Sequence, residues 1–288
     1  MIDEETKLAI LNAQRSEITE HFIYKKLAKS TKDSKNRKIL EHISNDELGH
    51  YSFWKSYTKR DVNPKKFIIW LYYFVSKIFG LTFGIKLMES SEDVAQKNYN
   101  KIAKVIPEVG KLEKEEHEHE RKLIAMINEE KLQYVGSVVL GLNDALVELT
   151  GAIAGLTFAF QNTRIVGVAG LITGIAASFS MAASEYLSTK TEGGKNPFKA
   201  SVYTGIAYIF TTLFLIIPYF ILKNHFFALG STLVNAIIII LIFNFYISVA
   251  KDYSFKKRFW EMALISLGVA ALSFLIGLGV RAVIGVDI

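Results

Sequence analysis

Two sets of side chains in the first 120 residues could hold a pair of metal ions. Glu17 precedes Glu47-Leu48-Gly49-His50, and Glu89 precedes Glu116-His117-Glu118-His119. Each set offers a lone Glu and then a Glu-x-x-His. On a helix, residues three apart share a face, so one carboxylate can bridge two metals while the imidazole caps one of them. A Glu from each of two helices and a Glu-x-x-His from each of two others is the inward ligand arrangement of di-iron and di-manganese four-helix bundles. The intervals of 30 residues (17 to 47) and 27 residues (89 to 116) suit two antiparallel helix pairs. Hard oxygen donors with one neutral imidazole per metal fit Fe, with Mn as the alternative, better than Cu. Glu116 and His119 taken alone sit in a Glu- and Lys-rich run that reads as a solvated face. Repetition of the pattern is what gives it weight.

A second constellation lies in apolar sequence. Asp144 and Glu148 are one helical turn apart, as are Met181 and Glu185. Ionisable groups inside a membrane span are costly and usually mark a path for ions or protons. Carboxylates can exchange a proton for a divalent cation, and a thioether tilts preference toward a transition metal over Ca²⁺ or Mg²⁺.

The elements that must position these groups follow from patterning. Helices are expected from Asp3 to about Lys29, from Asp33 to about Tyr57, from before Glu89 to about Lys104, and from after Pro107 to about Lys131. Five apolar segments follow, near 136–160, 165–188, 201–222, 226–250 and 261–284. Each meets the ~20 residues needed to cross a ~30 Å hydrocarbon core. Lys190, Lys195 and Lys199 flank the second connection and Lys251, Lys256, Lys257 and Arg258 the fourth, whereas the other two carry only Arg164 and Lys223. The positive-inside rule then places the N-terminus in the cytoplasm and the C-terminus outside. The apolar stretch Phe67–Met88 is interrupted by Lys77 and Lys86. A helix lying in the membrane interface near 67–86 is expected there, with Trp70, Tyr72 and Tyr73 at headgroup level.

Composition narrows the chemistry. Of 288 residues none is Cys, which excludes disulfides, thiolate zinc sites, iron–sulfur clusters and thiol catalysis. The net charge of +6 is not gathered into an Arg stripe with interleaved aromatics, so nucleic acid is not an expected partner.

These residues carry two resemblances. The first ~130 residues resemble the rubrerythrin branch of the ferritin-like superfamily, which also has a Glu-x-x-Glu on its third helix, here Glu89 and Glu92. That resemblance implies Glu17, Glu47, His50, Glu89, Glu116 and His119 as ligands of a di-iron centre, with Glu92 as an additional or exchangeable one. The branch's cysteine-ligated rubredoxin module is missing. Residues 136–288 resemble the vacuolar iron transporter family. Asp144-Ala145-Leu146 stands where that family has an Asp at the head of its first span. The segment from Ser180 through Met181 and Glu185 to Ser188 is close to its second-span signature, with Ser184 where Gly is usual. The family implies a homodimer of five-span subunits exchanging Fe²⁺ or Mn²⁺ for protons and moving metal out of the cytosol. Plant-type members carry a helical metal-binding domain between spans two and three, where this chain has only a short connection. The whole resembles membrane-bound ferritin fusions that export iron.

The expectation is therefore an all-α chain in the cell membrane. A ferritin-like four-helix bundle occupies 1–134, and a five-span domain with a transport path at Asp144, Glu148, Met181 and Glu185 occupies 135–288. Its partners are Fe²⁺ or Mn²⁺, protons, the lipid bilayer and a second copy. The competing expectation is a di-iron oxidoreductase, a ferroxidase or peroxidase, with the spans as a mere anchor. An anchor has no need of paired carboxylates in two spans.

Overall fold

Helix after helix begins at a residue chosen for capping. The Asp33 carboxylate accepts the Asn36 N–H at 2.7 Å, and Asn162, Asn196 and Asn224 each cap the helix that follows. The computed structural model describes residues 4–88, 102, 109, 124, 125, 127 and 130–284, and among them all regular structure is helical. The third and fourth helices expected before residue 132, and with them Glu89, Glu92, Glu116 and His119, lie essentially outside the described residues. The chain divides into two units, Met1–Glu129 and Glu130–Ile288.

In the first unit, α1 (Glu4–Ser30) and α2 (Ser34–Thr58) run antiparallel. The pairs Thr58–Gln14, Trp54–Glu17 and Ser44–His21 fix that register. Between the helices lies a core of Ile23, Tyr24, Leu27, Leu40 and Ile43. α2 stops at Lys59, whose left-handed φ of 56° turns the chain. Asp61 then accepts hydrogen bonds from Tyr51 and Lys55. α3 (Lys66–Phe79) lies parallel to α1: Lys65 N–H donates to Thr19 Oγ1, and Lys77 Nζ donates to the Ser30 carbonyl. The stretch expected as one helix across 67–86 is instead broken at Gly80, where φ is 110°, a conformation that favours glycine. Residues 81–88 are helical again and fold back so closely that a Cβ on Gly84 would strike Ser76. Tyr72 and Tyr73 pack inward against the α1–α2 core, while Trp70 stays on the surface.

The second unit holds five long apolar helices: α4 (Val135–Phe160), α5 (Thr163–Thr191), α6 (Pro197–Ile221), α7 (His225–Lys251) and α8 (Phe255–Ile284). The shortest has 25 residues, more than the ~20 a bilayer crossing requires. α4 and α6 are the most enclosed. Glycines set the close crossings: a Cβ on Gly141 would meet the Thr204 carbonyl of α6, and one on Gly277 would meet the Gly155 carbonyl of α4. The two Gly-x-x-x-Gly pairs are thereby spent within the chain, Gly151 and Gly155 against α8, Gly170 against α4 and α6, and Gly174 against α6. Pro218 in α6 lacks an N–H for the Phe214 carbonyl. Asn235 of α7 supplies one at 2.9 Å, and Thr232 donates to the neighbouring Leu215 carbonyl at 2.8 Å.

Candidate metal-handling sites

The α1–α2 register sets Glu17 beside α2 some two to three turns before its end. There it meets Glu47 and His50, and one ligand atom from each lies within 4.8 Å of the others. Both carboxylates are buried and His50 is partly so. His50 Nδ1 stands 3.4 Å from Glu17 Oε2 and 3.3 Å from Glu47 Oε2, while Trp54 Nε1 donates to Glu17 Oε1 at 3.2 Å. Burial would raise the Glu17 carboxyl, but hydrogen bonds from His50, Glu47 and Trp54 outweigh it and hold it below its usual range. Burial lifts Glu47 well above that range. His50 offsets part of this, and the nearby charges of Glu17 and Glu20 add to it. Two buried carboxylates and an imidazole converging on one point form a donor set that fits Fe or Mn. Trp54, one of the orienting groups, went unmarked in the sequence, although its place seven residues after Glu47 puts it on the same helical face. His21, four residues after Glu17, turns to Ser44 instead and contacts its carbonyl through Nδ1 at 2.6 Å.

In the second unit a π-helical turn, Ala145–Leu149, interrupts α4 immediately after Asp144. Such wide turns within α-helices frequently accompany functional sites. Asp144 is half-buried, and Glu148, inside the wide turn, is exposed on the surface of the single chain. Tyr208 of α6 is fully buried and donates to Glu148 Oε2 at 3.0 Å. Ser266 of α8 donates to the Leu146 carbonyl in the same turn at 2.9 Å. On α5, Met181 and Glu185 are half-buried. Glu185 Oε1 accepts from Ser137 of α4 at 2.6 Å and from Thr189 at 3.4 Å. It lines a cavity of about 490 Å³ together with Tyr134, Ser137, Thr189, Lys195 and Ala200. Ser137 and Tyr208 escaped the reading of the sequence. A tyrosine inside an apolar span was the available signal, because its hydroxyl needs a partner there.

The four span residues do not converge within one chain. Asp144 and Glu148 share the middle of α4, while Glu185 is tied to Ser137, two turns nearer the start of that helix. Among the described residues, the group of three close Asp, Glu or His ligands is Glu17, Glu47 and His50.

No curated protein is matched by the chain. A sequence model of the VIT family matches residues 135–194, a segment that holds Asp144, Glu148, Met181 and Glu185. The five apolar helices support a multi-pass membrane protein, and the match makes its first two spans similar to the VIT family, which suggests metal-ion transport.

Proposed function

We propose that the protein is a proton-coupled exporter of Fe²⁺, with Mn²⁺ as a further substrate, and that its N-terminal helices capture, sense or oxidise the metal. The observation that carries this reading is the placement of four ligand-type side chains on two consecutive apolar helices, all within the VIT-matched segment. Ser137 and Thr189 hold one oxygen of Glu185, which lines the cavity and could receive a cation through the other. Glu148 has one oxygen fixed by Tyr208, and the residue is exposed on the single chain. A carboxylate within a span does not face lipid at acceptable cost. A second copy across a two-fold axis supplies the missing wall and brings a second Asp144–Glu148 pair to the same place. Protonating these carboxylates releases a cation, and deprotonating them readies the site for the next. The basic connections around Lys190 to Lys199 and Lys251 to Arg258 favour a cytoplasmic cavity mouth.

Glu17, Glu47 and His50 would hold one half of a di-iron centre, with Glu89, Glu92, Glu116 and His119 as the expected remainder. Bound iron there supplies redox chemistry toward O₂ or peroxide. The chain's own part would be to orient the ligands through Trp54, with burial favouring the protonated form of Glu47 in the absence of metal.

Fe²⁺ flux into proteoliposomes tests the reading. Flux in the parent protein and its loss in Asp144→Ala are expected. Unchanged flux in that variant rejects the assigned path. The converging buried donors on α1 and α2 favour one competing reading, an anchored oxidoreductase. That protein would oxidise Fe²⁺ without moving it across the membrane.

A further inference from the structure

α3 is apolar on two sides. Ile68, Ile69, Tyr72 and Tyr73 pack onto the α1–α2 core, and Ser76 is buried beside them. On another side Phe67, Trp70, Leu71, Phe74 and Ile78 form a second stripe, with exposures between 43 and 77 %. Their spacing of three, one, three and four residues is that of one helical face. A contiguous bare stripe of five large side chains marks an interaction surface.

The charge around it says what the stripe meets. From Val62 to Met88 there are four lysines (Lys65, Lys66, Lys77 and Lys86) and neither Asp nor Glu. The neighbouring part of α1 adds Lys25, Lys26 and Lys29, and Lys26 Nζ sits 3.5 Å from the Trp70 ring centroid. A self-complementary contact with a second copy would press this lysine rim against its own image. An aromatic and aliphatic stripe rimmed by lysines matches the headgroup zone of a bilayer containing anionic lipid. The five apolar helices bring a bilayer to every copy of the chain. α3 does not cross it, because 14 residues reach only ~21 Å before Gly80 breaks the helix. We infer that the Phe67–Trp70–Leu71–Phe74–Ile78 face of α3 binds the surface of an anionic lipid bilayer.

Because the chain has no cysteine, single nitroxide labels report position by position. Leu71→Cys, Phe74→Cys and Ile78→Cys would each be labelled in the full-length protein, with Lys38→Cys on exposed α2 as the reference. The proteins go into nanodiscs of phosphatidylcholine with or without phosphatidylglycerol. The expected result is at least fivefold lower collision with an aqueous nickel chelate, and higher collision with O₂, at 71, 74 and 78 than at 38, with stronger protection in the anionic discs. Nickel collision equal to that at position 38 overturns the inference, as does spin–spin broadening between copies at 74, which would make a second chain the occupant. Equal protection in neutral and anionic discs overturns the role given to the lysines.

Discussion

At the scale of single residues, both proposed sites contain carboxylates with one oxygen fixed by a neighbouring donor. Glu17 is held by Trp54, Glu185 by Ser137 and Glu148 by Tyr208. Glu47 differs, since burial raises its carboxyl well above the usual range and so favours the protonated form. A metal must expel that proton, so binding at the α1–α2 site should weaken as pH falls, by about tenfold per pH unit while Glu47 remains protonated. Calorimetry with Mn²⁺ in two buffers of different ionisation heat should count about one released proton. Glu47→Ala/His50→Ala should abolish that binding. On α6, Tyr208→Phe removes one hydrogen bond to a carboxylate while keeping the buried ring. The half-saturating Fe²⁺ concentration for flux should rise roughly tenfold, the scale of a bond to a charged group, with the thermal midpoint in detergent little changed.

Elements were legible where a local rule dictates them. The ends of α1 and α2 fall within a residue of expectation because Asp33 is a strong cap for α2 and, in α1, acidic and basic residues sort to opposite ends. α8 begins six residues earlier than expected, since Phe255 to Trp260 continue the helix despite Lys256, Lys257 and Arg258. The break at Gly80 and the wide turn at Ala145–Leu149 were not legible. Neither leaves a periodic trace, and the second depends on Ser266 arriving from a helix 120 residues away. The same limit hid the partners of the glycines. Gly277 rests on the Gly155 backbone, which cannot rotate away as a side chain would. Gly277→Leu should therefore lower the thermal midpoint sharply or prevent folding, whereas Gly230→Ala, with open space around its Cα, should be tolerated. Thermal unfolding in detergent, followed by size-exclusion, distinguishes the two.

For the whole molecule, the sequence announced five membrane-length helices and the kind of residues they carry, and the structure contains them. It could not announce that the Asp144–Glu148 pair and Glu185 would stay apart within one chain, because convergence depends on how helices turn about their axes. The charge asymmetry of the connections yields a prediction at this scale. Cysteines at Asn162 and Asn224, in two weakly charged connections, should react with an impermeant maleimide added outside sealed cells. Cysteines at Gly194 and Ser254 should react only after permeabilisation. The reverse pattern would overturn the proposed direction of transport.

The wide turn in α4 has one more consequence. Before it, the helix leans on α6 through Gly141; after it, on α8 through Gly151 and Gly155. An α-helix advances about 100° per residue, so the extra residue of a π-turn resets the azimuth between those two halves. α4 thus carries two rotational phases, and Asp144 and Glu148 sit at the seam. Deleting Val147 would restore one continuous phase without removing either carboxylate, and would swing one half of the helix out of its groove. The acidic pair is thus tied to this dislocation in the backbone as much as to the two residues themselves.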